Sequence, residues 1–122
     1  MAKPDVTIPP GEPPADLVIE DITVGDGKEA KHGNVVEVHY VGVAWGTGRQ
    51  FDASWDRGET FDFILGNGLV IEGWDTGVVG MKVGGRRKLT IPASMGYGTR
   101  GVPGVIAGGE TLIFVVDLLN VN

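Results

Sequence analysis

The sequence predicts an α+β fold in which a twisted antiparallel β-sheet of about five strands wraps around one short α-helix. Apolar and polar residues alternate through most of the chain, which is the period of half-buried strands. One segment breaks this alternation and places its apolar residues at helical spacing. The 21 glycines lie mostly between these runs, where turns need residues that tolerate positive φ.

The strands are predicted from five apolar runs. The first is short, the next three alternate with side chains such as Glu37, His39, Asp62 and Lys88, and the residues of the last run share one face. In chain order, the apolar residues are Leu17-Val18-Ile19; Val36, Val38 and Tyr40; Phe61, Phe63 and Leu65; Leu89 and Ile91; and Leu112, Phe114, Val116 and Leu118.

The helix is predicted after Gly73, where Trp74, Val78 and Met81 recur at helical spacing. Gly73 and Gly80 are suitable residues for its two ends. A single helix covers only one face of the sheet. We therefore expect a cavity between the N-terminal end of this helix and the concave face of the sheet.

The N-terminal segment differs in composition from the rest of the chain. Five of the seven prolines fall within residues 1–14, so this stretch is extended and has few backbone donors. We predict that residues 1–14 form a flexible or loosely docked arm. Residues 15–122 contain no linker and no repeat, which predicts one domain of ordinary size.

The composition excludes several functional classes. The formal charge of −6 disfavours a nucleic-acid partner, and the lack of cysteine excludes disulfides, thiol catalysis and cysteine–zinc sites. His32 and His39 have no second histidine at metal-ligand spacing, so no metal or other cofactor is expected. No signal peptide and no membrane-length apolar run are visible, which predicts a soluble cytoplasmic protein.

One glycine pattern resembles a nucleotide-binding motif. Residues 96–101 read Gly-Tyr-Gly-Thr-Arg-Gly, which matches G-x-G-x-x-G. The residues that follow, Val102-Pro103-Gly104, cannot open the helix that a pyrophosphate needs. We therefore interpret the segment as a loop that presents Tyr97.

Four segments combine large apolar side chains with glycine or single polar groups, as small-molecule cavities do. Asp52 follows Phe51 and precedes two small residues, so it is expected to be partly desolvated. The residues alone leave two interpretations open, because these aromatic rings could fill a solid core or line an open pocket. The segments are Phe51-Asp52-Ala53-Ser54, Val70-Ile71-Glu72-Gly73-Trp74, Gly96-Tyr97-Gly98 and Thr111-Leu112-Ile113-Phe114.

In this order and spacing, the segments resemble the FKBP family of peptidyl-prolyl cis–trans isomerases. The resemblance extends from about Gly27 to Val121, and its family's fold agrees with the predicted one. Further matching segments are Val38-His39-Tyr40-Val41-Gly42, Thr60-Phe61-Asp62-Phe63-Ile64-Leu65-Gly66 and Gly80-Met81-Lys82-Val83-Gly84.

The resemblance implies a role for each site residue. Trp74 would be the floor on which a proline ring lies. The backbone N–H of Ile71 and the hydroxyl of Tyr97 would hold substrate carbonyls, and Asp52 would be a buried polar group that acts on the twisting amide. Phe114 would belong to both the catalytic group and the walls. The implied walls are Tyr40, Phe51, Phe61, Val70, Ile71, Ile106 and Phe114.

The resemblance also implies an activity and partners. The expected protein is a monomeric prolyl isomerase that acts on Xaa-Pro bonds of unfolded or flexible chains and assists their folding. It would bind tacrolimus- or rapamycin-type macrolides. Val102 and Ala107 stand where family members commonly have histidine and proline, which changes the rim of the pocket. The alternative function is a binding module that uses the same bowl without turnover.

Overall fold

The computed structural model describes residues 2–122, which form one six-stranded antiparallel sheet and two short helices. The strands are β1 (Val18–Thr23), β2 (Val35–Ala44), β3 (Gln50–Ala53), β4 (Phe61–Ile64), β5 (Arg86–Ile91) and β6 (Leu112–Val121), and the helices are α1 (Ser54–Arg57) and α2 (Glu72–Gly77). The sheet order is β1-β5-β6-β2-β3, and β4 also pairs with β2. The predicted class is confirmed. The count is six instead of about five because β3, a strand of only four residues, was not among the predicted runs; it pairs with β2, as β4 does.

The inner face of the sheet packs on α2 and on the turn that follows this helix. Trp74, Val78 and Met81 are all buried there, as their helical spacing predicts. The helix itself ends at Gly77, three residues before the predicted Gly80. Phe114 and its alternate neighbours on β6 complete this core. The open space that forms the candidate site lies at the N-terminal end of α2.

The outer face of the sheet is also buried over its centre, which a one-helix fold does not predict. Val41 and Val43 of β2 are buried on that side, and Ile113 and Val115 pair with them on β6. Asp117, the next outward residue of β6, is fully buried and forms an ion pair with Arg86, with Nε 2.7 Å from Oδ1. Strong burial of outward side chains requires a further layer on this face.

Part of that layer is the N-terminal arm. Val6 and Ile8 pack against a small apolar cluster that contains Val41, Val43 and Ala53. Polar contacts accompany this packing: the Lys3 Nζ atom lies 2.8 Å from Asp56 Oδ1, and Arg86 Nη2 donates to the Ala2 carbonyl at 2.6 Å. Residues 2–8 therefore lie along the sheet. The boundary of the arm at residue 14 stays a prediction.

Shortening the chain so that it begins at Pro9 is expected to lower its stability. Val6 and Ile8 are each half-buried, and full burial of such a side chain contributes about 1.5–3 kcal/mol, so the combined loss should be about 1–3 kcal/mol. Urea unfolding of the shortened and full-length chains measures this difference. The exposed Asp5→Ala variant is the control. An unchanged unfolding midpoint in the shortened chain would show that the arm adds no stability.

Helix α1 was not predicted, because four residues are too few to display a helical period. It follows β3 directly, and its first residue, Ser54, is buried. The Ser54 hydroxyl accepts the Tyr40 N–H at 2.7 Å, which ties the start of the helix to β2. The helix ends at Gly58, whose φ of 68° is in the left-handed region. Neither helix, nor any other helical segment of residues 2–122, is long and apolar enough to span a bilayer.

Candidate functional site

The candidate site is a cavity of about 200 Å³ at the N-terminal end of α2, against the concave face of the sheet. Nine of the ten residues that the sequence and its resemblance nominate line this cavity. They come from β2, β3, β4, β6, the loop before α2, α2 itself and the loop that carries Tyr97. The lining consists of Tyr40, Phe51, Asp52, Phe61, Leu69, Val70, Ile71, Trp74, Tyr97 and Phe114.

Trp74 forms the floor of the cavity and is held by neighbouring rings. Its ring meets Tyr40 at 5.0 Å and Phe114 at 5.2 Å between centroids, both in edge-to-face geometry. Phe61 approaches at 6.0 Å in the same manner. Trp74 is only 4% exposed although it lines the cavity. The two interpretations left open by the sequence are therefore both realised, because one ring fills the core and presents a surface to the pocket.

The wall opposite the helix depends on Phe51, Phe114 and a glycine. Phe51 and Phe114 pack edge to face with centroids 5.4 Å apart. Gly42 on β2 lies against both rings, and a Cβ atom there would be 2.6 Å from Phe51 Cζ and 2.7 Å from Phe114 Cε1. Such distances are too short for real contacts. The absence of a side chain at this position therefore allows the two rings to pack against the strand.

Asp52 belongs to a polar network at the edge of the cavity. The Tyr40 hydroxyl donates to Asp52 Oδ2 at 2.6 Å, Arg57 forms an ion pair with Asp52 through Nη1, and Arg57 Nη2 donates to the Tyr40 hydroxyl at 2.8 Å. The Asp52 side chain is 38% exposed, so it is not the buried group that the resemblance implies. Helix α1 brings Arg57 to this carboxylate, so Asp52 is ion-paired and partly exposed.

This network changes the acidity of Tyr40. Burial is the main cause that raises the pKa of Tyr40 above 10.0, and the hydrogen bond to Asp52 raises it further. Arg57 acts in the opposite direction but does not reverse the shift. The phenol therefore stays protonated at neutral pH and keeps its bond to the carboxylate.

Tyr97 stands at the mouth of the cavity with its hydroxyl free. No group among residues 2–122 hydrogen-bonds to this hydroxyl, and the residue is 40% exposed. Partial burial raises the pKa of Tyr97, and the negative charge of Asp52 adds to the increase. Tyr97 thus offers an available O–H donor at neutral pH.

The loop before α2 offers a second free donor. Within the part of the chain from Ala2 to Asn122, no carbonyl accepts the backbone N–H of Ile71. The loop is held by Asp75 of α2, whose two carboxylate oxygens accept the N–H groups of Gly66 at 2.8 Å and Gly68 at 2.9 Å. Asp75 therefore positions the segment that leads into Ile71.

Replacing Asp75 with alanine is expected to loosen this loop. Hydrogen bonds to a charged acceptor contribute about 1.5–3 kcal/mol, so exchange of the Gly66 and Gly68 amide protons should accelerate by at least tenfold. Hydrogen–deuterium exchange measures this change directly. The neighbouring Glu72→Ala variant is the control, since the Glu72 carboxylate accepts neither amide proton. Equal exchange rates in the Asp75 variant and the wild type would contradict the positioning role.

Ile106 is the nominated residue that does not line the cavity. It is buried in the main core, and its backbone pairs with Val102 across the loop of residues 102–106. Sequence reasoning also missed two residues of the site, Leu69 and Arg57. Leu69 lines the cavity and is 65% exposed. Its position beside Val70 and Ile71 could have identified it from the sequence. Nothing in the sequence indicated Arg57, because its approach to Asp52 depends on helix α1, which was not predicted.

The titratable residues in the described part of the chain do not form a metal centre. Across residues 2–122, no group of three His, Asp or Glu side chains is arranged to hold a metal ion. The polar groups available at the cavity are therefore the Tyr97 hydroxyl, the Ile71 N–H and the Asp52 network. Together with the aromatic floor, they suit an apolar ligand that carries carbonyl acceptors.

Comparisons with known proteins agree with this geometry. The family described as FKBP-type peptidyl-prolyl cis-trans isomerase matches residues 27–119. An FK506-binding protein of Streptomyces anulatus is 63% identical over 122 residues, covering 99% of this chain and 98% of its own. A probable FK506-binding protein of Corynebacterium glutamicum is 56% identical over 120 residues, covering 98% of this chain and 99% of its own.

Solved structures show the same fold. The crystal structure of AtFKBP13 superposes with a TM-score of 0.79 at 36% identity, covering 85% of this chain and 91% of its own. The crystal structure of FkpA from Escherichia coli superposes with a TM-score of 0.79 at 40% identity, covering 87% of this chain and 48% of its own. The match of family, sequence and fold over nearly the whole chain shows that this protein belongs to the FKBP-type peptidyl-prolyl cis–trans isomerases.

Proposed function

We propose that this protein accelerates rotation about Xaa-Pro peptide bonds in the cavity above Trp74 and thereby assists the folding of proline-containing chains. The observation that carries the proposal is the pairing of an aromatic floor with two free donors, the Ile71 N–H and the Tyr97 hydroxyl. The cavity of about 200 Å³ is smaller than the roughly 300–1,000 Å³ that holds drug-sized ligands, so it suits a single ring.

The reaction needs no bond to be broken. The barrier to rotation is about 18–20 kcal/mol, because the twisted amide loses its resonance. A planar amide is more polar than a twisted one, so transfer from water into an apolar cavity favours the twisted form in relative terms. Interactions that are stronger in the transition state than in the ground state lower the barrier. An apolar floor with fixed carbonyl contacts at its edge meets this requirement.

Each polar group has a proposed role. The Ile71 N–H and the Tyr97 hydroxyl hold carbonyl oxygens on the substrate and so fix one side of the rotating bond. Asp52 places a carboxylate beside this bond, and Arg57 and Tyr40 hold the carboxylate in position. Phe114 and Phe51 keep water away from the wall. All the groups with proposed roles belong to the protein itself, and none of these roles involves a cofactor.

The rim indicates a preference for apolar residues before proline. Leu69 and Phe61 are exposed apolar residues at this rim, while Ile106, which the resemblance implies as a wall, lies in the core. A charged side chain there would lose hydration, and a poorly compensated polar group costs about 1–3 kcal/mol. Peptides with Leu or Phe before proline should be turned over fastest, Lys next and Glu last, since the net charge of −6 favours Lys over Glu even though Arg57 compensates the charge of Asp52.

A matched series of tetrapeptides that differ only in the residue before proline tests this preference. In a protease-coupled isomerisation assay, we expect kcat/KM for Leu to exceed that for Glu by about tenfold, which corresponds to about 1.4 kcal/mol. Equal kcat/KM values across the series would show that the rim does not select the substrate.

Isomerisation should be independent of pH over the neutral range and fall in strong base. The raised pKa of Tyr97 keeps its O–H donor intact up to and beyond its ordinary value of 10.0, so kcat/KM should be flat from roughly pH 6 to 9 and decline only above about pH 10. Exchange spectroscopy of a Leu-Pro peptide measures the profile without a protease. The Tyr97→Phe variant should be slower and lack that decline. A decline of the wild type below pH 9, with the fold intact, would exclude this role.

A second candidate function is binding without turnover. Relatives are named for binding FK506, and an aromatic bowl with two free donors could hold the carbonyl-bearing ring of such a macrolide. We propose that tacrolimus- and rapamycin-type macrolides place one ring in the same cavity and so compete with the peptide. A monomeric state and a cytoplasmic location remain predictions.

A further inference from the structure

A second cavity of about 270 Å³ lies directly beside the first and shares Phe51 with it. One side is the turn between β2 and β3, which contributes Thr47 and Arg49. The other side is the tip of the loop of residues 102–106, where Val105 is 55% exposed. Phe51 thus borders two neighbouring open spaces.

The second cavity contains a cation without a counter-ion. Arg49 lines it, and within residues 2–122 no carboxylate lies within 4.0 Å of the Arg49 guanidinium. Two carboxylates reach this part of the chain but bind elsewhere: Glu110 accepts the Gly46 N–H at 3.1 Å, and Asp56 accepts from Gln50 at 2.7 Å. Among residues 2–122, Arg49 therefore has no carboxylate partner, and it lines a cavity of a protein whose net charge is −6.

The two cavities are close enough for one peptide to occupy both. A proline ring over Trp74 would leave its chain at the edge of Phe51, and a phenyl ring is about 6–7 Å wide. An extended chain covers about 3.3–3.6 Å per residue, so about two residues would cross Phe51. The side chain that reaches the second cavity therefore belongs to a residue about two positions from the proline.

We propose that the second cavity is a subsite for an acidic side chain of the substrate, about two residues from the proline, with Arg49 as the residue that recognises it. The proposal rests on the proposed isomerase function. Val105 and Phe51 contact the methylenes of the acidic residue, and the Arg49 guanidinium pairs with its carboxylate. Arg49 thus determines specificity and does not touch the rotating bond.

The test uses Leu-Pro peptides with Glu or Gln placed two residues before proline, and a second pair with the substitution two residues after it. Exposed ion pairs are weak, so we expect kcat/KM for Glu to exceed that for Gln by about two- to fivefold at low salt in one of the two pairs. Added salt should reduce this ratio, because the pair is exposed to solvent. In the Arg49→Gln variant, the ratio should fall to about one.

A matched control removes the same charge outside both cavities. The exposed Lys28→Gln variant should keep the wild-type ratio, because its lysine lines neither cavity. A ratio of one in the wild type for both placements, or a ratio that survives in Arg49→Gln, would overturn the subsite. Lack of turnover for all four peptides would instead refute the isomerase function, so the two failures are distinguishable.

Discussion

Replacing Trp74 with alanine is expected to destabilise the protein by about 3–5 kcal/mol, the usual cost of truncating a buried tryptophan, and to abolish ligand binding. The indole packs on Tyr40 and Phe114 and is 4% exposed, so its removal leaves a void beneath the cavity. Urea unfolding measures the first effect. A calorimetric titration with a macrolide, at a temperature where the variant is folded, measures the loss of binding.

Two further variants separate packing from the flat surface. Trp74→Leu retains much of the volume without an aromatic face, so it should fold better than Trp74→Ala but bind ligand weakly. Trp74→Phe keeps a face and removes the indole N–H, which is buried without an acceptor among residues 2–122. It should therefore bind ligand better than Trp74→Leu. Equal binding by Leu and Phe variants would contradict the role of the floor.

Trp55 provides a matched control. It lies in the outer cluster with Val41 and Val43, where its ring stacks on His39 at 4.1 Å between centroids. Trp55→Ala should therefore lower stability while leaving ligand affinity unchanged. If it weakened binding as much as Trp74→Ala does, the loss of binding would reflect a general loosening of the fold.

Replacing Asp52 with valine is expected to lower kcat/KM by about tenfold or more, corresponding to at least about 1.4 kcal/mol of transition-state stabilisation. The change removes the carboxylate beside the rotating bond and leaves Arg57 as an uncompensated cation at the cavity. It also removes the acceptor of the Tyr40 hydroxyl. Because the Asp52 side chain is 38% exposed, the variant should remain folded.

A double-mutant cycle identifies which property of Asp52 matters. Asp52→Asn keeps the shape of the side chain without its charge, and Arg57→Gln removes the partner cation. If the pair acts by neutralising charge at the cavity, the double variant should recover part of the activity that Asp52→Asn loses. Additive losses would assign separate roles to the two residues. Wild-type kcat/KM in Asp52→Val would show that the carboxylate does not act on the amide.

The sequence predicted the secondary structure best where one face of an element is buried and the other faces solvent. The alternation of Val36, Val38 and Tyr40 with Glu37 and His39 locates the start of β2, because its outward residues are not fully covered there. From Val41 onward both faces are buried, and the alternation disappears. The missing layer includes the arm, whose prolines indicate an extended chain but not the surface on which it lies.

The site was predictable in its aromatic part and less so in its polar part. The rings of Phe51, Trp74 and Phe114 stand in segments whose order is specific to the family, and the structure gathers them around one cavity. Arg57 is different, because it reaches Asp52 through a single helical turn that no periodicity reveals. Local turns of this kind determine whether a carboxylate is buried or paired. The environment of Asp52 could therefore be described only from the structure.

The most direct test of the central claim is exchange spectroscopy of a Leu-Pro tetrapeptide in the presence of a small molar fraction of the protein. Exchange cross-peaks between the cis and trans forms should appear with the protein and vanish when equimolar tacrolimus fills the cavity. The uncatalysed exchange takes tens to hundreds of seconds and produces no such cross-peaks. An absence of exchange, or exchange that persists with the macrolide bound, would contradict catalysis in the cavity above Trp74.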